Sequence, residues 1–217
     1  MIADEHFRHV SEKLYDHFTD QPVELDSRFI NKPRFVAEAC ESMVISLFNK
    51  FFSHIGVKDD SQEGAKSTGD FQFYDNDGLL YKVDIKTHNV NRSYNMGNII
   101  ATKKLLPGGD MDYTNESHVF CPLIFSYSTD GNRVIFTHPI KFVKLEWLPW
   151  TAIHIQNGLG HGQVQFRSNK IRTFAPDYTQ TRSSWYQTFL DQGRAACERK
   201  IQSQIKMKEQ YMSVQYA

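Results

Sequence analysis

Apolar positions recur along the chain in two rhythms, and the changes of rhythm mark its elements. Over "KPRFVAEACESMVISLFNKFFSHIG" they fall at Val36, Cys40, Val44, Leu47, Phe48 and Phe51. Steps near three and four put them on one face of a helix. Pro33 suits the approach to that helix and Gly56 its end. A second helical stretch, "HFRHVSEKLYDHF", lies within residues 1–30. A third starts near Thr181 and runs long, with Trp185, Phe189, Ala196, Ile201 and Ile205 as its apolar stripe. "IIATKKLL", ended by "PGG", predicts a short helix.

The other rhythm is that of strands. In "GDFQFYDNDGLLYKVDIKT" two apolar segments flank "DNDG", and Asp-Gly is a strong hairpin turn signal. "HVFCPLIFSYS" and "NRVIFTHPIKFV" predict two strands around Asp130-Gly131, and "LPWTAIHIQ" and "QVQFR" complete the middle. Polar links are expected at "VKDDSQEGAKSTG" and "THNVNRSYNMGN", and a flexible one at "NGLGHG". No repeat, low-complexity tract or linker divides the chain. The pattern predicts a single α/β domain over residues 1–217, a mixed sheet flanked by helices.

Composition narrows the class. The chain has 217 residues, 40% of them hydrophobic, with 16 Phe and 10 Tyr, enough for a substantial core and too apolar for general disorder. Lys+Arg and Asp+Glu both number 25, so net charge announces no nucleic acid. The start leans acidic and the last fifty or so residues basic, which two ordinary solvated faces explain on charge alone. Three scattered Cys with no CxxC point to neither a disulfide framework nor a zinc knuckle. Met1–Glu5 has no signal-peptide pattern, and no run of about eighteen apolar residues occurs. A soluble cytoplasmic protein is expected.

Several chemical patterns fail. His6 and His9 share a helix face, but a zinc role needs two further ligands and none is evident, so they read as surface histidines. Gly158, Gly160 and Gly162 lack the spacing and the GK[ST] of a phosphate loop. "DNDG" as a calcium loop would need Phe73 as its first ligand.

The hairpin is different. Strands disfavour Asp, yet this one begins with Asp70 and ends with Asp84 and Lys86. A four-residue loop at Asp75–Gly78 places Asp70 opposite Val83, and a two-residue loop at Asp77-Gly78 places it opposite Ile85. Both leave Asp70 beside Asp84. Alternation puts Asp84 and Lys86 on one face and Val83 and Ile85 on the other. Two neighbouring carboxylates repel unless a cation joins them, and such an oxygen cage suits Mg²⁺. The fitting chemistry is metal-assisted phosphodiester hydrolysis, with Lys86 orienting or deprotonating the attacking water. A salt-bridged edge hairpin is the alternative. Upstream, Glu38 and Glu41 sit on a helix, where acids near an N-terminus also suit the helix dipole.

These residues, together with "VDIKTHNVNRSYNMGNIIATKKL", resemble the PD-(D/E)xK nuclease signature, and most closely the EcoRV and HincII branch of type II restriction endonucleases. The resemblance continues through "WTAIHIQ…VQF" and the helix at Trp185. It covers most of the chain from Glu38 onward and gives least support to residues 1–30. It implies a restriction endonuclease-like PD-(D/E)xK core, with Asp70, Asp84 and the Ile85 carbonyl as Mg²⁺ ligands and Lys86 as catalytic lysine. Glu41 matches an accessory acid, with Glu38 its competitor. It further implies double-stranded DNA as substrate, cleavage at a short palindromic site, a homodimer, and a cognate DNA methyltransferase in the same host.

The chain departs from the pattern at Gly69, where Pro is usual. It departs again at Asn95, where HincII has a Gln that intrudes into the base stack, and at Pro149, where HincII has a base-reading Asn. These departures imply a different recognition sequence or different reading residues. One candidate set is Thr87, Asn89, Asn91, Arg92, Asn95 and Asn98, whose amides can pair with base edges or simply furnish a polar loop. The other is Gln163, Gln165, Arg167, Asn169 and Lys170, which an amphipathic strand would also explain. A repair or recombination nuclease on the same scaffold and a DNA-binding module without catalysis remain as alternatives.

Overall fold

The computed structural model describes residues 2–29, 32–61, 68–91, 98–137, 139–156, 162–167 and 170–213. Helix α1 (Asp4–Asp20) turns Phe7, Val10, Leu14 and Phe18 inward, one residue in each turn. A two-residue strand β1 (Val23–Glu24) follows, then α2 (Pro33–Ser46), which buries Val36, Cys40 and Val44 as the spacing requires. The helix expected to continue breaks at Leu47 and restarts as α3 (Phe48–Phe51). The break lets Phe48 and Phe52 stack on each other and meet Phe71 and Phe73. Gly56 does not end a helix. It opens strand β2 (Gly56–Asp59), within the stretch expected to be only a link. No side chain fits there, because a Cβ would lie 2.3 Å from the Tyr74 carbonyl oxygen.

The hairpin forms from β3 (Phe71–Asp75) and β4 (Leu80–Asn89). Both expected registers are off by one residue: Phe71 faces Val83 and Tyr74 faces Leu80. Asp75 decides this. Its Oδ1 accepts the N–H groups of Asp77 and Leu79 at 3.0 and 2.9 Å, and Gly78 takes a left-handed φ of 82°. Asp75 N–H then closes on the Leu79 carbonyl at 3.0 Å, so the loop has three residues.

Strand β5 (Asn98–Ala101) and a single turn, α4 (Thr102–Leu105), replace the short helix expected over "IIATKKLL". Ile99 and Ile100 are buried among strand partners, and this tertiary pairing overrides the local helical pattern. Strand β6 (His118–Asp130) and β7 (Arg133–Phe136) form the hairpin expected around Asp130-Gly131. Strand β8 (Lys141–Phe142), a 3₁₀ turn (Leu145–Trp147), β9 (Ile153–Gln156), β10 (Gln163–Phe166) and a short α5 (Lys170–Thr173) lead to α6 (Arg182–Ser213). Thr181 caps α6, its Oγ1 accepting Ser184 N–H at 3.2 Å.

The described strands make two sheets. The larger is curled and mixed, ordered β1-β7-β6-β4-β3-β2 with β8 also on β6. β4 and β6 run parallel through its centre over ten residues, and the other pairs are antiparallel. The smaller sheet is ordered β5-β10-β9. The helices flank these sheets, and one continuous hydrophobic core serves the whole domain. Among the described residues, no helix is long and apolar enough to cross a membrane.

Candidate active site

The one-residue register correction sharpens the carboxylate pair. The regular ladder ends at Phe71 opposite Val83, and the chain before it turns in against the same residue. Asp70 N–H donates to the Val83 carbonyl at 2.7 Å, and Asp70 Oδ2 accepts Ile85 N–H at 2.5 Å. The Asp70 side chain therefore lies against the Ile85 backbone at the mouth of the hairpin. Gly69 makes this approach possible. Its φ is +109°, and a Cβ there would meet the Val83 carbonyl oxygen at 2.9 Å. Pro, with φ near −65°, cannot adopt this backbone, so the chain enters the site by its own route.

Alternation along β4 holds as expected. Val83 and Ile85 are buried, while Asp84 and Lys86 share the other face, partly exposed. Lys86 Nζ lies 2.5 Å from Asp84 Oδ2. The ammonium is in direct ion-pair contact with that carboxylate and lowers its pKa.

Glu41 closes the cluster from α2, which lies against β4. Burial pushes its carboxyl up to about 7, and the neighbouring Asp70 and Asp84 charges push the same way. Burial likewise raises Asp84 to about 6, reinforced by Asp70 and opposed by Lys86. Asp70 is raised by burial, against the Ile85 N–H and Lys86. Glu38, the competing helix acid, is exposed and bound to Arg34 Nε at 2.7 Å. The geometry thus brings Glu41, Asp70, Asp84 and Lys86 together and leaves Glu38 outside.

A second cation was not expected here. Lys104 on α4 donates to Thr68 Oγ1 at 2.8 Å and stands 3.9 Å from Asp110 Oδ2, and its charge lowers the Asp84 carboxyl. "TKKL" held the signal, but only the fold carries α4 to the hairpin mouth.

The expected reading residues divide. Thr87 and Asn89 lie on the Val83 and Ile85 face of β4, opposite the carboxylates, so the regular strand does not bring them to the cluster. The strand persists through Asn89 because its parallel pairing with β6 runs to Tyr127. Asn91 is exposed just beyond it and donates its N–H to Asn89 Oδ1 at 3.0 Å. Arg92, Asn95 and Asn169 lie outside the described residues.

In the small sheet, Asn98, Gln165 and His154 form one cross-strand row. Gln165 Nε2 donates to Asn98 Oδ1. Gln163 Oε1, Gln165 Oε1 and His154 Nδ1 are buried without hydrogen-bond partners among the described residues. Sequence pattern found the two Gln and missed His154, which only strand pairing places beside them. Arg167 and Lys170 are exposed next to β10. Arg182, counted with the basic tail, instead donates inward to the Tyr113 and His118 carbonyls at 3.2 and 2.8 Å.

His6 and His9 gain one neighbour. The His54 ring sits edge-on to both, with centroids 5.6 and 5.3 Å away. Among the described residues, no three His, Cys, Asp or Glu side chains stand where they could hold one metal ion.

No protein-family model and no curated protein matches the chain.

Proposed function

We propose that this chain is a Mg²⁺-dependent endonuclease of the PD-(D/E)xK kind, and specifically a type II restriction endonuclease acting on double-stranded DNA. The observation that carries the reading is the convergence of Asp70, Asp84, Glu41 and Lys86 at one hairpin mouth, with all three carboxyls raised.

The fit to Mg²⁺ rests on the donor set. Three raised carboxyls around one contacting lysine describe a cluster short of positive charge. The donors are hard oxygens, as Mg²⁺ prefers. Mg²⁺ keeps several waters and shares its site with phosphate, so one or two carboxylates from the protein suffice. Asp70, Asp84 and the Ile85 carbonyl would hold it. When bound, Mg²⁺ supplies charge neutralisation at the scissile phosphate and activation of water. Lys86 orients the attacking water and balances phosphate charge, and Glu41 takes up a proton near neutral pH. Lys104 adds positive charge on the flank.

In the same reading, the polar row of the small sheet, with Arg167 and Lys170 beside it, faces DNA. A homodimer would match a palindromic site, and a companion methyltransferase would protect host DNA in the cytoplasm.

The test is incubation of the purified chain with plasmid DNA and Mg²⁺. Discrete fragments are expected, lost on chelation and not restored by Ca²⁺. Nicks or a smear point to a repair nuclease, and a gel shift without cutting points to a binding module. Cleavage that survives exhaustive chelation rules out the mechanism.

A further inference from the structure

Beside the carboxylates stands a second cluster, of the opposite sign. Alternation along β4 puts Lys82 on the face of Asp84 and Lys86, two residues towards the turn. At ~3.3 Å per residue, its Cα lies roughly 6.6 Å from that of Asp84. Lys104 reaches the same place from α4. The loop after α4 folds back on it, so that Met111 N–H donates to the Lys104 carbonyl and Tyr113 N–H to the Leu105 carbonyl, both at 3.0 Å. No side chain fits at that fold, since a Cβ on Gly109 would lie 2.4 Å from the Lys104 carbonyl oxygen. The return sets Asp110 beside both lysines. Lys104 Nζ lies 3.9 Å from Asp110 Oδ2, and Lys82 Nζ donates to the Asp110 carbonyl at 3.5 Å. Thr68, buried and two residues before Asp70, joins them. Its Oγ1 accepts Lys104 Nζ at 2.8 Å and donates to Asp110 Oδ2 at 3.2 Å.

These contacts describe an anion site with a weak occupant. Two ammoniums and a hydroxyl converge on one carboxylate, which leaves one positive charge over. The Asp110 side chain is 59% exposed, and it stands beyond hydrogen-bond reach of Lys104. Lys82 meets only its backbone carbonyl. A phosphodiester has one negative charge spread over two free oxygens, and its bonds to ammonium groups are charge-assisted. It can serve both lysines and the hydroxyl at once, which the Asp110 carboxylate does not.

We propose that Lys82, Lys104 and Thr68 form a second phosphate subsite, which holds the phosphodiester next to the scissile one, and that Asp110 fills it until DNA displaces it. Successive phosphates of one strand advance about 3.4 Å along the duplex axis and lie further apart along the backbone. A phosphate one step from the Asp70–Asp84 site therefore comes within reach of a lysine rooted roughly 6.6 Å from Asp84. The charges agree with the spacing. The carboxylate cluster is short of positive charge and the lysine cluster of negative charge, so a phosphate chain spanning both completes each. Asp110 acts as a built-in competitor for the second position. The proposal rests on the nuclease reading, because it assigns the neighbouring phosphate of the same substrate.

Plasmid cleavage in Mg²⁺ at a series of DNA concentrations tests it, alongside affinity in Ca²⁺ from the fluorescence anisotropy of a labelled plasmid fragment. Lys104→Met and Lys82→Met should each raise KM and weaken binding roughly tenfold, with kcat less affected. Together they should flatten the slope of log affinity against log salt by about one. Asp110→Asn should act in the opposite sense and tighten binding about twofold to fivefold. With both lysines already replaced, that gain should vanish, whereas a general effect of removing negative charge would persist. Asp110 is exposed, so its variant keeps the test open even where a lysine variant melts early. Asp110→Asn that leaves affinity unchanged or weaker, or a gain that outlives both lysines, overturns the subsite, while cleavage by the wild type keeps the nuclease reading. A wild type that neither cuts nor binds DNA overturns both.

Discussion

At the scale of single residues, the hairpin mouth concentrates negative charge that one lysine in contact does not neutralise. Under the nuclease reading, Asp84→Ala abolishes cleavage, and Lys86→Ala lowers it by roughly 10²–10⁴-fold or more while leaving a folded protein. Substantial cutting by either purified variant would remove both from the mechanism. The same cluster has a pH signature without metal. Burial and mutual repulsion raise Asp84 to about 6 and Glu41 to about 7, so the folded chain keeps protons that the unfolded chain releases from about pH 4 upward. Stability from these groups therefore falls as pH rises from about 4 through about 7. Glu41→Gln removes one such group. In chelator it should raise the melting temperature near pH 8 and leave it unchanged near pH 4, where both states are protonated. Solvent screening limits the gain to the order of 1 kcal/mol. Equal melting shifts at both pH values would contradict this origin.

At the scale of elements, two small features aim the carboxylates. Gly69 lets the chain pass under the Val83 carbonyl with a φ that other residues rarely adopt. Gly69→Ala should cost on the order of 1–3 kcal/mol in denaturant unfolding, and Gly69→Pro more. Asp75 sets the turn through the two N–H groups that its Oδ1 accepts. Asp75→Ala should cost about 1–2 kcal/mol. Because the register depends on that turn, it should also reduce cleavage more than the stability loss explains. Stability unchanged in Gly69→Ala would mean that this backbone relaxes without strain.

At the scale of the whole molecule, zero net charge makes DNA binding a question of where the cations lie. Arg182 turns inward, whereas Arg167 and Lys170 stay exposed beside the small sheet. If about six phosphates are neutralised across a dimer, log affinity should fall against log salt with a slope of roughly −5. Arg167→Glu should weaken all DNA equally if it meets phosphate, and weaken the recognition site selectively if it meets a base edge. Affinity flat across a fourfold change in salt would show that no phosphate backbone is gripped.

The sequence by itself determined what local geometry controls. Period two made Asp84 and Lys86 neighbours, the Asp-Gly signal folded Asp70 back beside them, and periods near 3.6 gave α1, α2 and the first half of α6. It carried no information on positions set by distant partners. Pairing with β10 made "NIIA" a strand, although its own pattern was helical. The three-residue loop closed by Asp75 set the register, because a side chain bonded to two N–H groups outweighs the generic turn preference of Asp-Gly. The packing of α2 on β4 puts Glu41 beside the carboxylates and leaves Glu38, its competitor in the sequence, exposed. The fold brought Lys104 to the cluster and His154 into the row with Gln165. Where α6 outruns its domain, tertiary structure decided that the second half of one long helix faces outward. Burial depends on what lies opposite, and in a folded chain that is mostly set by residues far away in sequence.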